Sequence, residues 1–304
     1  MLYSRLPTYL DEVARCGSIR KAAGRLNVAS SAINRQILAL EQQLGTPLFH
    51  RLPRKLVLTT AGEVLIRHVR ETLRDLERAE TQIEELKGMR RGEVTIAIMS
   101  GLAANLLPRA LADFRRLNPR VKARVQLLST GAAILSDVAG GEADLGLGFD
   151  FPPTPTLRTV ASFACRLGVV MASRHPLTER AQLRLSDCLD YPLIVADATT
   201  AIRPHLDAAF AKLSIKLEPA LETNSIEMMR HATIETQGIT FLTPIDIETE
   251  RQQGRLVYAP IHGVGFRPQI LSLVSRDRAS NPTASALAEL LKKTIGEVDG
   301  VDRT

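Results

Sequence analysis

Cysteine is scarce in this chain: three residues, Cys16, Cys165 and Cys188, among 304. They are odd in number and far apart, so they form neither a disulfide framework nor a zinc spacing. No uninterrupted apolar run approaches the ~20 residues that a membrane helix needs. Acids enter early, at Asp11 and Glu12, and no apolar core follows them, so no secretory signal is expected. With so few cysteines, a reducing cytoplasm is the expected compartment. Catalytic signatures are also missing. There is no Gly-x-Ser-x-Gly elbow, no His-x-x-x-His pair and no Gly-x-x-x-x-Gly-Lys loop. Gly146 and Gly148 lack the third glycine of a dinucleotide fingerprint. No enzyme activity, cofactor or metal is therefore expected. Repeats and low-complexity tracts are absent as well.

What is present is an ordinary globular composition, 45% hydrophobic, with the charge unevenly placed. Residues 1–60 carry nine basic side chains and three acids, a net of +6. The other 244 residues carry 30 of each sign. The whole excess lies in one small block, which suggests a polyanion partner for that block alone. The length suggests two or three domains at ~100–200 residues each.

The first 60 residues read as short helices with tight connections. Leu6, Tyr9, Leu10, Val13 and Ala14 share one helix face. Gly17 ends that helix, Ser18 caps a second, and Asn27 supplies a turn. A third helix spans 30–44, with Ile33, Ile37, Leu40 and Leu44 on one face. Two helices joined by a short turn form a helix-turn-helix. Ser30, Ser31, Asn34 and Arg35 lie on the outer face of the third helix, and these side chains reach base edges or phosphates. Residues 48–60 read as a β-hairpin wing with Arg54 and Lys55 near its tip, beside Arg51. Thr60 and Glu63 fit a capping box opening a helix to about residue 87. Its stripe of Ile66, Val69, Leu73, Leu76 and Ile83 calls for a partner helix from a second chain, the alternative being packing on its own domain. Residues 88–92 read as a hinge.

Beyond the hinge, strands and helices alternate: strands at 94–99, 121–128 and 144–149, and helices at 102–117 and 132–139. A strand pair follows at 157–163 and 167–172. A second set has strands at 193–196, 217–222, 239–243 and 256–259, and helices at 203–212, 225–236 and 245–252. A strand at 270–274 and a helix at 282–295 close the chain. This alternation predicts doubly wound parallel sheet.

The N-terminal block resembles the LysR-type transcriptional regulators. The resemblance rests on Gly17-Ser18, Ala22-Ala23, Leu26-Asn27-Val28, Leu40-Glu41, Leu44-Gly45, Leu48-Phe49, Arg51, Leu58-Thr59 and Gly62. More than a dozen positions at fixed spacing are far more specific than one short motif. Ala29-Ser30 stands where the family often has Ser-Gln, and Asn34 where it usually has Ser, so the resemblance implies DNA binding but not a particular base preference. Arg20 replaces a residue that is often small or Thr, and adds a candidate phosphate contact.

The resemblance covers the full length and implies an α/β protein overall. Its parts are a helix-rich winged helix-turn-helix head at 1–60, a linker and dimerisation helix at 61–88, and a two-lobed effector-binding domain at 92–304. Lobe I comprises 92–164 and 266–304, and lobe II 165–265. The domain is similar to periplasmic binding proteins, with a ligand cleft between the lobes. The resemblance places Ser100, Gly101, Ser129, Thr130 and Phe149 on one cleft wall, and Thr199, Thr200, Ile202 and Asn224 on the other. Strand ends in open α/β sheets do bind ligands, and the N–H groups and hydroxyls at Ser100-Gly101 suit a carboxylate. Ser100, Ser129 and Thr130 also read as plain helix caps, and Arg203 as a surface charge.

The resemblance further implies double-stranded DNA as partner, a small-molecule effector, a homodimer or homotetramer, and RNA polymerase. Against this stand an α/β enzyme, which the missing motifs do not support, and a solute-binding transport component, which the basic head does not fit.

Overall fold

The computed structural model describes residues 5–53, 55–86, 92–180, 182–263, 266–276 and 281–304, and the backbone alone at 74, 77, 78 and 80–86. The chain divides into two compact units, residues 1–89 and 90–304.

In the first unit, α1 (Leu6–Cys16), α2 (Ile19–Leu26) and α3 (Ser30–Leu44) precede the hairpin β1 (Phe49–Leu52) and β2 (Lys55–Leu58), and then α4 (Thr60–Leu86). The helix ends follow local chemistry. Gly17, Asn27 and Gly45 adopt left-handed φ values of 60°, 53° and 65°, a region that glycine and asparagine tolerate best. The Ser18 hydroxyl accepts from Lys21 N at 3.4 Å, capping α2. Leu10, Val13, Ala22, Ile33, Ile37 and Leu48 form the buried centre. Each large aliphatic side chain in it contributes about 1.5–3 kcal/mol of burial.

Two expectations change here. The cap of α4 is Thr59, one residue before the expected Thr60. Its hydroxyl accepts from Gly62 N at 2.9 Å and donates to Pro47 O at 2.8 Å. The hydroxyl one position earlier meets both the helix end and the chain entering the wing, so it takes the role. The α4 stripe also begins inside its own unit: Ile66 and Val69 are buried in the head core and Leu73 packs against it. Buried Asp11 fastens α1 to α4 through Arg70 Nε at 2.7 Å. Leu76 is half-buried. The Ile83 side chain, Arg54 at the wing tip, and hinge residues 88–91 lie outside what is described.

The second unit contains two sheets. The first is ordered β13-β6-β12-β5-β3-β4. Its strands are β3 (Gly92–Met99), β4 (Val121–Leu128), β5 (Leu145–Phe149), β6 (Leu157–Cys165), β12 (Gln269–Arg276) and β13 (Val301–Arg303). The second is ordered β11-β7-β10-β8-β9. It contains β7 (Gly168–Ala172), β8 (Leu193–Ala196), β9 (Leu221–Thr223), β10 (Ile239–Leu242) and β11 (Leu256–Ala259). The chain passes from lobe I to lobe II after β6 and returns before β12. Each lobe has its own core.

Both sheets are mixed rather than wholly parallel. β5-β3-β4 and β10-β8-β9 run parallel, whereas β12 is antiparallel to β5 and β6, and β7 to β10 and β11. Parallel pairing needs a crossover lying on the sheet. The Pro-containing link from β5 to β6 has no helix, and β12 arrives from the other lobe.

The helices show three further departures. The expected helix 102–117 is two, α5 (Ser100–Ala103) and α6 (Leu106–Leu117). They break at Asn105, whose side-chain amide donates across the lobes to Asp246 O. The expected strand 217–222 shrinks to β9 because Pro219 lacks a donor and restricts its neighbour. The expected helix 245–252 is a 3-10 turn, Pro244–Ile247, followed by α10 (Glu248–Gln252). The remaining helices are α7 (Gly131–Gly140), α8 (Arg203–Lys212), α9 (Ile226–Glu235) and α11 (Pro282–Gly296). The glycines of β5 serve packing: a Cβ at Gly146 would lie 2.8 Å from Ile134 Cγ2 on α7. Among the described residues, no helix is long and apolar enough to cross a membrane.

Candidate DNA-reading surface and ligand cleft

The positive charge of the head is spread over α1, α2, α3 and the hairpin, with Arg20, Lys21 and Arg25 on α2 and Arg35 on α3. Ser30, Ser31 and Arg35 are exposed on the first turns of α3, with Asn34 half-buried. Arg15, Arg25 and Arg51 are held by Asp11, Glu12 and Glu41. Arg20, Lys21, Arg35 and Lys55 are exposed and make no ion pair among the described residues. Solvated cations unneutralised by the protein itself are the groups that displace counterions from a phosphate backbone.

Arg51 joins β1 to α3. Its Nη1 donates to Asn34 Oδ1 at 3.2 Å, and Nη2 lies 3.8 Å from Glu41 Oε2. Two expected contact residues are thus bonded to one another. Glu41, which the sequence supplied only as part of a motif, accepts from Leu48 N at 2.8 Å and Phe49 N at 3.2 Å. These charge-assisted bonds set where the wing begins relative to α3.

In the second unit, the ends of β3, β4 and β5 face residues that follow β8 and β9. The cleft between them is lined by Met99, Ser100, Gly101, Leu102, Leu128, Ser129, Phe149, Thr200, Ala201, Ile202, Asn224, Ile226 and Asp246. Seven expected residues meet there: Ser100, Gly101, Ser129, Phe149, Thr200, Ile202 and Asn224. Two do not line it. Thr130 caps α7, accepting from Ala133 N at 3.3 Å. Thr199 is exposed and donates from Oγ1 to Asp197 Oδ1 at 2.6 Å. Arg203 is also absent from the lining; its guanidinium is held by Asp207 and Glu222. The free space is about 50 Å³, against ~300–1,000 Å³ in pockets that hold drug-sized ligands.

Gly101 permits this closeness, since a Cβ there would lie 2.8 Å from Ile226 Cγ1 across the cleft. Asp246 lies at the same place, 2% exposed. Its burial pushes the carboxyl above the usual range, while the Thr243 hydroxyl, the Thr243 amide and the Arg230 charge pull the other way. The sequence does carry Thr243-Pro244-Ile245-Asp246 as a capping pattern, but nothing local places it on the cleft.

A polar tie joins the lobes nearby. Asp150, at a left-handed φ of 52°, lies 2.8 Å from His205 Nε2 on α8 and accepts from Ile270 N at 2.9 Å. Gln269, fully buried, donates from Nε2 to Ala201 O at 3.1 Å. Burial alone would raise the Asp150 carboxyl; the bonds from His205, Ile270 N and Gln269, with the His205 charge, outweigh it and hold it below the usual range.

A winged helix-turn-helix unit followed by a two-lobed α/β unit with an interlobe cleft is the architecture of a ligand-responsive DNA-binding regulator. Residues 5–63 match the model of the bacterial regulatory helix-turn-helix proteins of the lysR family, and residues 87–296 match the LysR substrate binding domain. The chain belongs to the LysR family of transcriptional regulators. A "Probable RuBisCO transcriptional regulator" of Synechocystis is 28% identical, covering 98% of this chain and 90% of the relative. Two solved structures share the fold. A full-length OxyR variant from Pseudomonas aeruginosa superposes at TM-score 0.73 with 18% identity, covering 96% of this chain and 95% of that one. CbnR complexed with its target DNA gives TM-score 0.63 with 19% identity, covering 95% and 99%.

Proposed function

We propose that α3 enters the major groove and reads bases through Ser30, Ser31, Asn34 and Arg35, while Arg20, Arg51, Arg54 and Lys55 hold the flanking phosphates. The observation that carries this reading is the exposed polar start of α3, where Arg35 makes no ion pair among the described residues. The matched CbnR structure contains target DNA, which supports the same use of the head. Arg35→Ala is expected to weaken binding and relax sequence preference. Lys55→Ala is expected to weaken binding nearly uniformly and lower the salt slope by about 1. Both are read by titrating specific and random duplex at several salt concentrations. An Arg35 variant that keeps the wild-type ratio between the two duplexes refutes the assignment.

The cleft is the effector site in this proposal, formed by Ser100, Gly101, Ser129, Phe149, Thr200, Ile202 and Asn224, with Thr130 and Thr199 at its margin. At about 50 Å³ it corresponds to a closed arrangement, and an effector acts by favouring a wider one, which requires different affinity for the two. The carboxylate-bearing effector suggested by the Ser100-Gly101 junction gains no support from the lining, which contains no Lys, Arg or His.

The working unit is a homodimer or homotetramer that also meets RNA polymerase in the cytoplasm. A self-association surface is supported by edge strand β4, where Val125 and Leu127, on one face of the strand, are 37% and 58% exposed. The outer part of α4 adds to it: 27 residues span about 40 Å at 1.5 Å per residue, longer than the head needs. Sedimentation of the full chain reads the assembly state. A monomer at every concentration tested refutes the oligomer.

A further inference from the structure

Asp246 is the one ionisable side chain among the residues that line the cleft. Its two oxygens are in different situations. Oδ2 accepts from Thr243 N at 3.0 Å and from Thr243 Oγ1 at 2.7 Å, closing the 3-10 turn that follows β10. Oδ1 has no hydrogen-bond partner among the described residues. It faces Gly101, where an added Cβ would come within 3.3 Å of it. The cap therefore accounts for half of the carboxylate and leaves the other half aimed into the cleft. Oδ1 itself keeps contact with the solvent of the cleft, although the residue is 2% exposed, so a ligand can reach it.

The neighbours do not relieve it. Arg230, whose charge acts on Asp246, is itself bonded to Glu250 at 3.0 and 3.2 Å. The Asn105 amide goes to the Asp246 backbone oxygen, not to the side chain. Ile226 meets the same point at Gly101, and the cleft lining contains Ser100 and Asn224 and no cation.

We propose that Asp246 Oδ1 selects the effector: the ligand brings a hydrogen-bond donor, a hydroxyl or an ammonium, to this oxygen, and a carboxylate is rejected there. The proposal rests on the reading of the cleft as the effector site. A donor pairs the oxygen that the cap leaves free, in a narrow cleft where such a bond is stronger than in open water. Against the ionised Asp246, a carboxylate would put a second negative charge beside the first with no cation in the lining between them. A site built around one polar partner discriminates strongly against ligands that leave it unpaired.

The test uses three probes matched in length, propylamine, propan-1-ol and propionate, titrated into the full-length protein at neutral pH and followed by ligand-observed nuclear magnetic resonance. The expected order is propylammonium first, propanol second and propionate last. Asp246→Asn keeps an oxygen for Thr243 and turns an amide toward the cleft. It should weaken propylammonium roughly 10- to 100-fold and strengthen propionate. Gly101→Val fills the cleft and should abolish binding of all three.

Preference of the wild type for propionate, which would require a proton on Asp246, overturns the proposal even if Asp246→Asn fails to fold. So does a folded Asp246→Asn protein with the wild-type order. In either case, loss of binding in Gly101→Val leaves the cleft reading standing. Binding of the probes unchanged by Gly101→Val, or binding of none of them to the wild type, removes the cleft reading and the proposal with it.

Discussion

Replacing Gly62 with alanine puts opposing effects in the head. Alanine is the better helix former by about 1 kcal/mol, and Gly62 lies in the first turn of α4. Its Cβ, however, would sit 2.1 Å from Leu48 O, 3.1 Å from Leu48 C and 3.0 Å from Leu58 Cδ2. An ordinary carbon–oxygen contact is about 3.3–3.6 Å, so the carbonyl has to move by roughly 1 Å. Leu48 O accepts from Thr59 N at 3.0 Å, and losing that bond costs about 1 kcal/mol. Overpacking adds about 1–3 kcal/mol. The net expectation is a head destabilised by about 1–3 kcal/mol. Gly24 is the control: it lies inside α2 with nothing within 4 Å of an added Cβ. There alanine should stabilise by up to about 1 kcal/mol. Amide hydrogen exchange of peptides from α2 and α3 in the full-length chain reads both. Protection should fall roughly 10- to 100-fold in Gly62→Ala and rise in Gly24→Ala. Equal protection in Gly62→Ala and wild type would refute the packing argument.

Other expectations concern the second unit and the thiols. Arg230 and Glu250 form a buried ion pair, 4% and 10% exposed at the side chain. Arg230→Met strands the carboxylate and should cost about 3–5 kcal/mol, most of it recovered in Arg230→Met/Glu250→Leu; a single variant that melts with the wild type shows the pair to be idle. The Asp150 carboxyl is held below the usual range, so its stabilisation is complete above the unfolded value of about 4 and is lost as pH falls through the folded value. Acid titration of unfolding should therefore be steeper below pH ~4 in the wild type than in Asp150→Asn, and parallel curves would remove the tie. Burial pushes the Cys165 and Cys188 thiols up to about 12, so a thiol reagent should label Cys16 first and reach the other two after unfolding. Rapid labelling of Cys188 in the native protein contradicts that burial.

Much of the head was legible because its signals are local. Glycine or asparagine stands at each helix end that needs a left-handed residue, and the turn between α2 and α3 follows. Arg51 shows where this stops: its type and place in the wing were readable, but not that it bonds Asn34 and Glu41 on α3. In the second unit, most strands and helices were readable from periodicity. Their pairing was not, because β12 comes from the far end of the chain to lie between β5 and β6. The cleft shows the same division. The residues at strand ends were expected, whereas Asp246, Ile226, Asp150 and His205 enter only because the lobes bring distant segments together.

The sequence alone determined the positive head, the helix-turn-helix and its wing, the family and the alternation that builds two lobes. Charge, helix caps and hydrophobic period are carried by residues close along the chain, so no folded context is needed to read them. Tertiary structure alone decided that Thr59 caps α4, that Gly62 must lack a side chain, and that one oxygen of Asp246 faces the cleft without a partner. Each depends on segments that meet only in the fold: Thr59 on Pro47, Gly62 on Leu48, and Asp246 on Gly101, at distances no local pattern records.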